Sequence, residues 1–149
     1  MFKLFNRSPI IEVTYSEYAY ELIKSTEKSV GYDVRSPETF LLFSNTPKLV
    51  KTGIFLKMPD NIECQVRSRS GLALKGISVA NSPGTIDPDY EGELGIILIN
   101  HKQLLERINT GDKIAQLVFN EIIRPKFKGN IIEKNKIRKD GGFGSTDQS

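Results

Sequence analysis

Residues 81–100 read NSPGTIDPDYEGELGIILIN. Pro83-Gly84 and Asp87-Pro88 are breaker pairs that mark turns, whereas Leu94 to Ile99 is a nearly continuous apolar run. The stretch therefore sets a turn against a firm strand. Asp87 follows Ile86 and precedes a proline, which biases its backbone toward the extended region and gives its carboxylate a set direction. Tyr90 follows three residues on. A carboxylate held this way can orient a water or a metal, and a neighbouring ring can floor a sugar or a base. The same residues also fit a solvated turn acid beside a tyrosine at a strand end, because acids are common in turns.

Outward from this stretch, short strands are expected at Ile10 to Tyr15, Gly31 to Val34, Thr39 to Phe43, Leu49 to Leu56, Ile62 to Arg67, Ile77 to Ala80 and Ile114 to Ile122. Gly, Pro, Asn and Asp punctuate them at intervals of about 8–12 residues. Tyr18 to Ser29 is polar and turn-like, and a helical period survives only at Gln103 to Ile108. Many short strands with almost no helix predict an all-β fold, a jelly-roll-like β-sandwich or distorted barrel with at most one short helix. Two parts are expected: a β-domain over 1–128 and a flexible C-terminal tail over 129–149, whose Gly- and Ser-rich end has too few apolar residues to pack alone.

A chain of 149 residues is long enough for one domain with one core. No run approaches the roughly 18 apolar residues of a membrane span, and the start, MFKLFNRSPI, has no sustained apolar segment. The expectation is a soluble protein of the cytoplasm, or of a host cell's interior if viral, with no membrane partner. One cysteine (Cys64) and one histidine (His101) cannot build a Cys/His zinc site, which argues against a zinc-dependent nucleobase deaminase. Cys64 alternates with Ile62 and Val66 and reads as core. The net charge is only +3, but Arg124 to Lys139 holds seven cations against the single acid Glu133. Phe127, between Lys126 and Lys128, is the one aromatic among these cations, too few to give the repeated interleaving a single-strand binding groove requires, so no nucleic-acid partner is expected.

Three further stretches carry chemistry. RSGLA at 69–73 follows a strand, and its glycine lets backbone N–H groups approach an anion while Arg69 and Ser70 add donors. The glycine spacing of residues 71–76 imitates a phosphate-binding loop, but Ile77-Ser78 stands where Lys-Ser/Thr is required. GDKIAQ at 111–116 opens the last strand and ends on Gln116, whose amide can reach a phosphate oxygen, although a turn before a core strand explains it equally well. In the tail, Arg138, Phe143, Gly144, Ser145 and Thr146 combine a cation, a stacking ring and hydroxyls, a strip able to close over a nucleotide as a lid.

Together these blocks resemble the trimeric dUTPase family (dUTP diphosphatase). Five motifs stand in the family's order: GYDVRS at 31–36, RSGLA at 69–73, GTIDPDYEG at 84–92, GDKIAQ at 111–116, and R-x-x-GGFGST at 138–146. The resemblance implies hydrolysis of dUTP to dUMP and pyrophosphate with Mg²⁺, which limits uracil incorporation into DNA and supplies dUMP for thymidylate synthesis. It also implies a homotrimer whose three sites each draw on all three chains.

Carried onto this sequence, the resemblance makes Asp87 the group that activates the water attacking the α-phosphate, and places Tyr90 under the deoxyribose. Asn81, the backbone of Gly84, Thr85 and Ile86, and that near Gly95 would recognise uracil. Arg69, Ser70, Gly71 and Gln116 would hold the phosphates, and Arg138, Phe143, Gly144, Ser145 and Thr146 would form the lid. No side chain need ligate the metal directly; the triphosphate and waters would hold it, with Asp33 beside those waters.

Three positions depart from the pattern: Ser68 where proline often stands, Lys139 where glycine often follows the tail arginine, and Asp147 where glycine usually closes the motif. The related dCTP deaminases need a catalytic glutamate about ten residues after the aspartate, where this chain has Ile97. A non-catalytic nucleotide-binding β-domain is the other rival, set back by Asp87, Tyr90 and the tail motif.

Overall fold

Strand-forming runs interrupted by turns should pair into antiparallel sheets that share one core, and they do. The computed structural model describes residues 8–130. In chain order the elements are β1 (Glu12–Tyr15), β2 (Tyr32–Arg35), β3 (Phe40–Leu42), β4 (Lys48–Lys57), β5 (Ile62–Arg67), α1 (Ser70–Leu74), β6 (Ile77–Val79), β7 (Gly84–Ile86), β8 (Glu93–Asn100), β9 (Glu106–Ile108) and β10 (Lys113–Glu121). One four-stranded sheet runs β1-β4-β8-β6, a second runs β2-β10-β5-β7, and β3 pairs with β9. All of these pairings are antiparallel.

The two larger sheets contribute to a single cluster: Val50, Ile54, Leu94, Ile96 and Leu98 from the first, Val34, Cys64, Val66, Ile114 and Leu117 from the second. Each fully buried Leu or Ile here contributes about 1.5–3 kcal/mol relative to exposure. Cys64 is fully buried, as its alternation with Ile62 and Val66 requires, and burial, helped by the Glu63 charge, pushes its thiol up to about 12. It stays an unreactive core thiol.

Strand β8 shows how an apolar run can serve two faces. Leu94, Ile96, Leu98 and Asn100 are buried, while Gly95, Ile97 and Ile99 between them are only partly so. Alternation along a strand sends one set into the core and leaves the other for the opposite face. Asn100 is buried without being orphaned: its Nδ2 donates to the carbonyls of Leu42 (3.1 Å) and Leu104 (2.7 Å), and its Oδ1 accepts from the Lys102 N–H (3.0 Å).

These bonds also overturn one expectation. The helical period at Gln103 to Ile108 is not a helix; the chain turns through 102–104 and then forms β9, paired with Leu42, Leu41 and Phe40. Leu104 is 73% exposed and Leu105 48%, so no apolar helix face had a core to meet, while Asn100 captures the backbone of 102 and 104 for a turn. The helix that does form, α1, overlaps the RSGLA stretch and ends at Leu74, spans five residues and buries none of them. Residues 84–86, expected as turn, pair as β7 against Cys64, Gln65 and Val66. Among the described residues no helix is long and apolar enough to cross a membrane.

Candidate active site

Within residues 81–92 the expected turn at Asp87-Pro88 forms, while 84–86 before it are strand β7. Asp87 follows directly on β7, Pro88-Asp89 makes the turn, and the Tyr90 N–H closes it on the Asp87 carbonyl at 3.0 Å. The Tyr90 hydroxyl donates to the Glu93 carbonyl at 2.9 Å, and its ring crosses Gly92, where an added Cβ would lie 2.7 Å from the phenol oxygen. Glycine at 92 thus lets the ring lie down. Asn81 packs over Gly84 in the same way, its Nδ2 3.0 Å from where a Cβ would stand.

Asp87, Tyr90, Thr85 and Ile86 line a cleft of about 470 Å³ together with Leu49 and Lys51 of β4 and Glu93, Gly95 and Ile97 of β8. This lies within the range of small-molecule sites, roughly 300–1,000 Å³. Both sheets supply walls, since β7 belongs to one and β4 and β8 to the other. Gly95 faces Leu49 so closely that a Cβ would come within 2.7 Å of Leu49 Cδ1. Exposed Asp87 and half-exposed Tyr90 thus stand over an aliphatic floor, a combination suited to an apolar ring with a charged group at its edge.

A second cluster forms around Asp33, which is only 7% exposed. Its Oδ1 meets Arg69 Nε at 2.9 Å, and its Oδ2 meets Lys113 Nζ at 2.7 Å and accepts from the Ser25 hydroxyl at 3.0 Å. Burial works to raise this carboxyl, but the bonds from Lys113 and Ser25 and the charges of Arg69 and Lys113 outweigh it and hold it below the usual carboxylate value. Gln116 stands opposite Asp33 on one side and Arg67 on the other. Its Nε2 donates to the Ser68 carbonyl at 3.0 Å. Ser68 does more here than a proline could: its N–H donates to Ser82 Oγ (3.0 Å) and its hydroxyl accepts from the Val79 N–H (2.9 Å).

Most of the sequence-predicted residues within the described part fall into two groups, and Asn81, Gly84, Ser70 and Gly71 belong to neither. Thr85, Ile86, Asp87, Tyr90 and Gly95 share the cleft; Asp33 and Arg69 are joined directly, and Gln116 ties the second group to Ser68. Asp33, Arg69, Ser70 and Gln116 are not among the residues lining the cleft. Gly71 is exposed, and beyond its own chain neighbours and the α1 backbone no described residue lies within 4 Å of where its Cβ would be. Arg138, Phe143, Gly144, Ser145 and Thr146, with Lys139 and Asp147, lie outside the described residues.

Sequence reasoning missed Leu49, Lys51, Glu93 and Ile97 in the cleft, and Ser25 and Lys113 on Asp33. Lys113 stood within a quoted motif, but its partner follows only from β10 pairing with β2. For Leu49 and Lys51 the only local signal was their alternation with Val50 on a strand half-facing the core. Among the described residues no group of three or more His, Cys, Asp or Glu side chains could hold a metal ion.

Comparison with known proteins agrees with this architecture. The family model described as dUTPase matches residues 17–147. The deoxyuridine 5'-triphosphate nucleotidohydrolase of Crocosphaera subtropica is 45% identical over 137 residues, covering 85% of this chain and 96% of that protein. Among solved structures, a variant dUTPase of phage 80alpha superposes with a TM-score of 0.78 at 26% identity, covering 91% of this chain and 98% of that one. A variant dUTPase from phage phi11 of S. aureus, described for its coordination of a structural Mg(II) ion, gives 0.75 at 26% identity over 84% of this chain and 99% of that one. With the motifs in order, the fold matched and the family model spanning most of the chain, this protein belongs to the dUTPase family.

Proposed function

We propose that this chain hydrolyses dUTP to dUMP and pyrophosphate, with Asp87 orienting and deprotonating the water that attacks the α-phosphate. The observation that carries the reading is one cleft holding the Asp87 carboxylate, the Tyr90 ring and the Gly95 backbone over an aliphatic floor. In-line attack on phosphorus needs positioning and charge neutralisation more than covalent help, and a placed base adds typically about 10²–10⁴-fold. Tyr90 supports the deoxyribose and leaves no room for a 2′-hydroxyl. Asn81, the backbone of 84–86 and that near Gly95 read the base. A close backbone wall rejects the thymine methyl better than a lost contact could, since one methyl amounts to only about 1–3 kcal/mol. Cytosine fails because its reversed donor and acceptor pattern leaves buried partners unpaired.

Arg69, Ser70, Gly71 and Gln116 hold the phosphates, and the tail residues Arg138, Phe143, Gly144, Ser145 and Thr146 close over the nucleotide. The separation of this chain's residues into a cleft group and an Asp33–Arg69 group supports a homotrimer in which one chain's cleft is completed by another's phosphate-binding residues. The open space around Gly71 fits a ligand or neighbouring chain that comes close there.

The residues present fit Mg²⁺ carried on the triphosphate rather than a cage of side chains. A carboxylate offers about four lone-pair sites. Arg69, Lys113 and Ser25 occupy three on Asp33, leaving room to accept from a water on the ion. Bound there, Mg²⁺ supplies neutralisation of phosphate charge, in keeping with its preference for phosphates and waters. A deaminase reading is disfavoured because Ile97 is an aliphatic cleft wall, and Glu93 Oε1 already accepts from Tyr18 and Gly53. The test is pyrophosphate release from dUTP, dCTP, dTTP and UTP with and without Mg²⁺. Release from dUTP alone, dependent on Mg²⁺, is expected; ammonia from dCTP, or no turnover of any, would overturn the reading.

A further inference from the structure

The geometry points to Glu93 as a positioning residue for Tyr90, acting through the irregular stretch of β4 and setting the enzyme's choice between deoxyribose and ribose. The inference rests on the proposed role of Tyr90 under the sugar. Tyr90 is 46% exposed, so packing alone does not fix its ring. Two backbone bonds do: its N–H to the Asp87 carbonyl at 3.0 Å, and its hydroxyl to the Glu93 carbonyl at 2.9 Å. The position of the Glu93 peptide therefore sets the height of the ring.

That peptide lies where the sheet ladder is least regular. Lys51 pairs with Gly95 and Phe55 with Glu93, so the register shifts between them and residues 52–54 bulge. A bulge leaves ladder groups without their usual partners. Thr52 answers one, its hydroxyl donating to the Leu94 carbonyl at 2.7 Å. Glu93 answers another with its side chain: Oε1 accepts from the Gly53 N–H at 2.9 Å and from the Tyr18 hydroxyl at 2.9 Å, and Oε2 lies 4.0 Å from Lys51 Nζ. The Glu93 side chain is 20% exposed, so these are partly shielded bonds to a charged acceptor.

Gly53 sits in a tightly packed position that only glycine fits. It holds φ +71, and a Cβ there would strike Ser16 Oγ at 2.1 Å and Tyr18 Cε2 at 2.7 Å. The Ser16 N–H bonds the Gly53 carbonyl at 2.8 Å, which fixes the bulge to the 16–19 loop. A chain of contacts thus runs from Tyr18 through the Glu93 carboxylate to the Glu93 carbonyl and the Tyr90 hydroxyl. Without the carboxylate, the start of β8 loses its tie to the bulge, and Tyr90 loses a fixed acceptor.

The test compares kcat/KM for dUTP and UTP in the unsubstituted 149-residue chain and in Glu93→Ala, Glu93→Gln, Tyr18→Phe and Tyr90→Ala. Glu93→Ala is expected to raise relative use of UTP about tenfold, the scale of a lost steric distinction of one small group. Glu93→Gln keeps an acceptor oxygen for both donors and is expected to restore most of that selectivity, a rescue that a purely electrostatic role of the carboxylate would not permit. An unchanged ratio in Glu93→Ala, or a Gln variant as unselective as Ala, would overturn the assignment. Should Glu93→Ala not fold, Tyr18→Phe carries the same arm: about a threefold rise supports the contact chain and no change overturns it. Tyr90→Ala separates the two readings. If it alone shifts the ratio, the Glu93 inference fails and the sugar assignment stands; if it leaves the ratio unchanged, the sugar assignment itself fails.

Discussion

Gly31 approaches Gln116 so closely that a Cβ at residue 31 would stand 2.1 Å from Gln116 Oε1, 3.0 Å from its Cδ and 3.2 Å from its Cβ. The amide end could swing away, but the Cβ is bonded directly to the β10 backbone and cannot. Gly31→Ala should therefore pull Gln116 off the Ser68 carbonyl, which it now bonds at 3.0 Å. We expect a loss of about 1–2 kcal/mol in stability and, if Gln116 holds phosphate as proposed, a rise in KM for dUTP larger than the fall in kcat. Thermal unfolding and steady-state kinetics check both.

Asp87→Asn keeps the size of the side chain and removes its basicity. Nucleotide binding should persist while kcat falls about 10²–10⁴-fold, the usual contribution of a placed base. Isothermal titration with a non-hydrolysable dUTP analogue, alongside turnover with dUTP, separates the two. A variant turning over near the normal rate refutes the role.

The Asp33 carboxyl is held below its ordinary value in the folded chain. Its unfolded pKa is near 3.9. A depressed folded pKa gives stability that is fully present above the unfolded value and is lost as pH falls through the folded one. The urea midpoint of the wild-type protein should thus fall more steeply below about pH 4 than that of Asp33→Asn, and the gap between them should be widest near neutrality. Parallel curves would mean that the contacts with Arg69 and Lys113 add nothing to stability.

Ending the chain before Arg138 removes the residues assigned to the lid and leaves the described core intact. The truncated protein should remain folded, with activity on dUTP greatly reduced. Circular dichroism and pyrophosphate release measure the two; full activity would rule out the lid.

The β class, the positions of most strands and the turn that carries Asp87 were legible in the sequence. They depend on residues within a few positions of one another: alternation on strands, breaker pairs at turns, and a proline that restricts its predecessor. The same local logic misread Gln103 to Ile108, because a helical period matters only when a core receives its face, and Asn100 instead bound the backbone of 102 and 104.

What the tertiary structure alone decided is which distant residues meet. Asp33 reaches Arg69 and Lys113 only through the pairing of β2 with β10 and the path of the chain beyond β5. Leu49 and Lys51 reach the cleft only because β4 lies beside β8, and Glu93 grips Gly53 only because their register slips. Composition and spacing carry local conformational preference, whereas an irregular strand pairing is settled by the packing of the whole sheet. The acid and the ring at 87 and 90 could therefore be read from the chain, but the walls and supports that aim them could not.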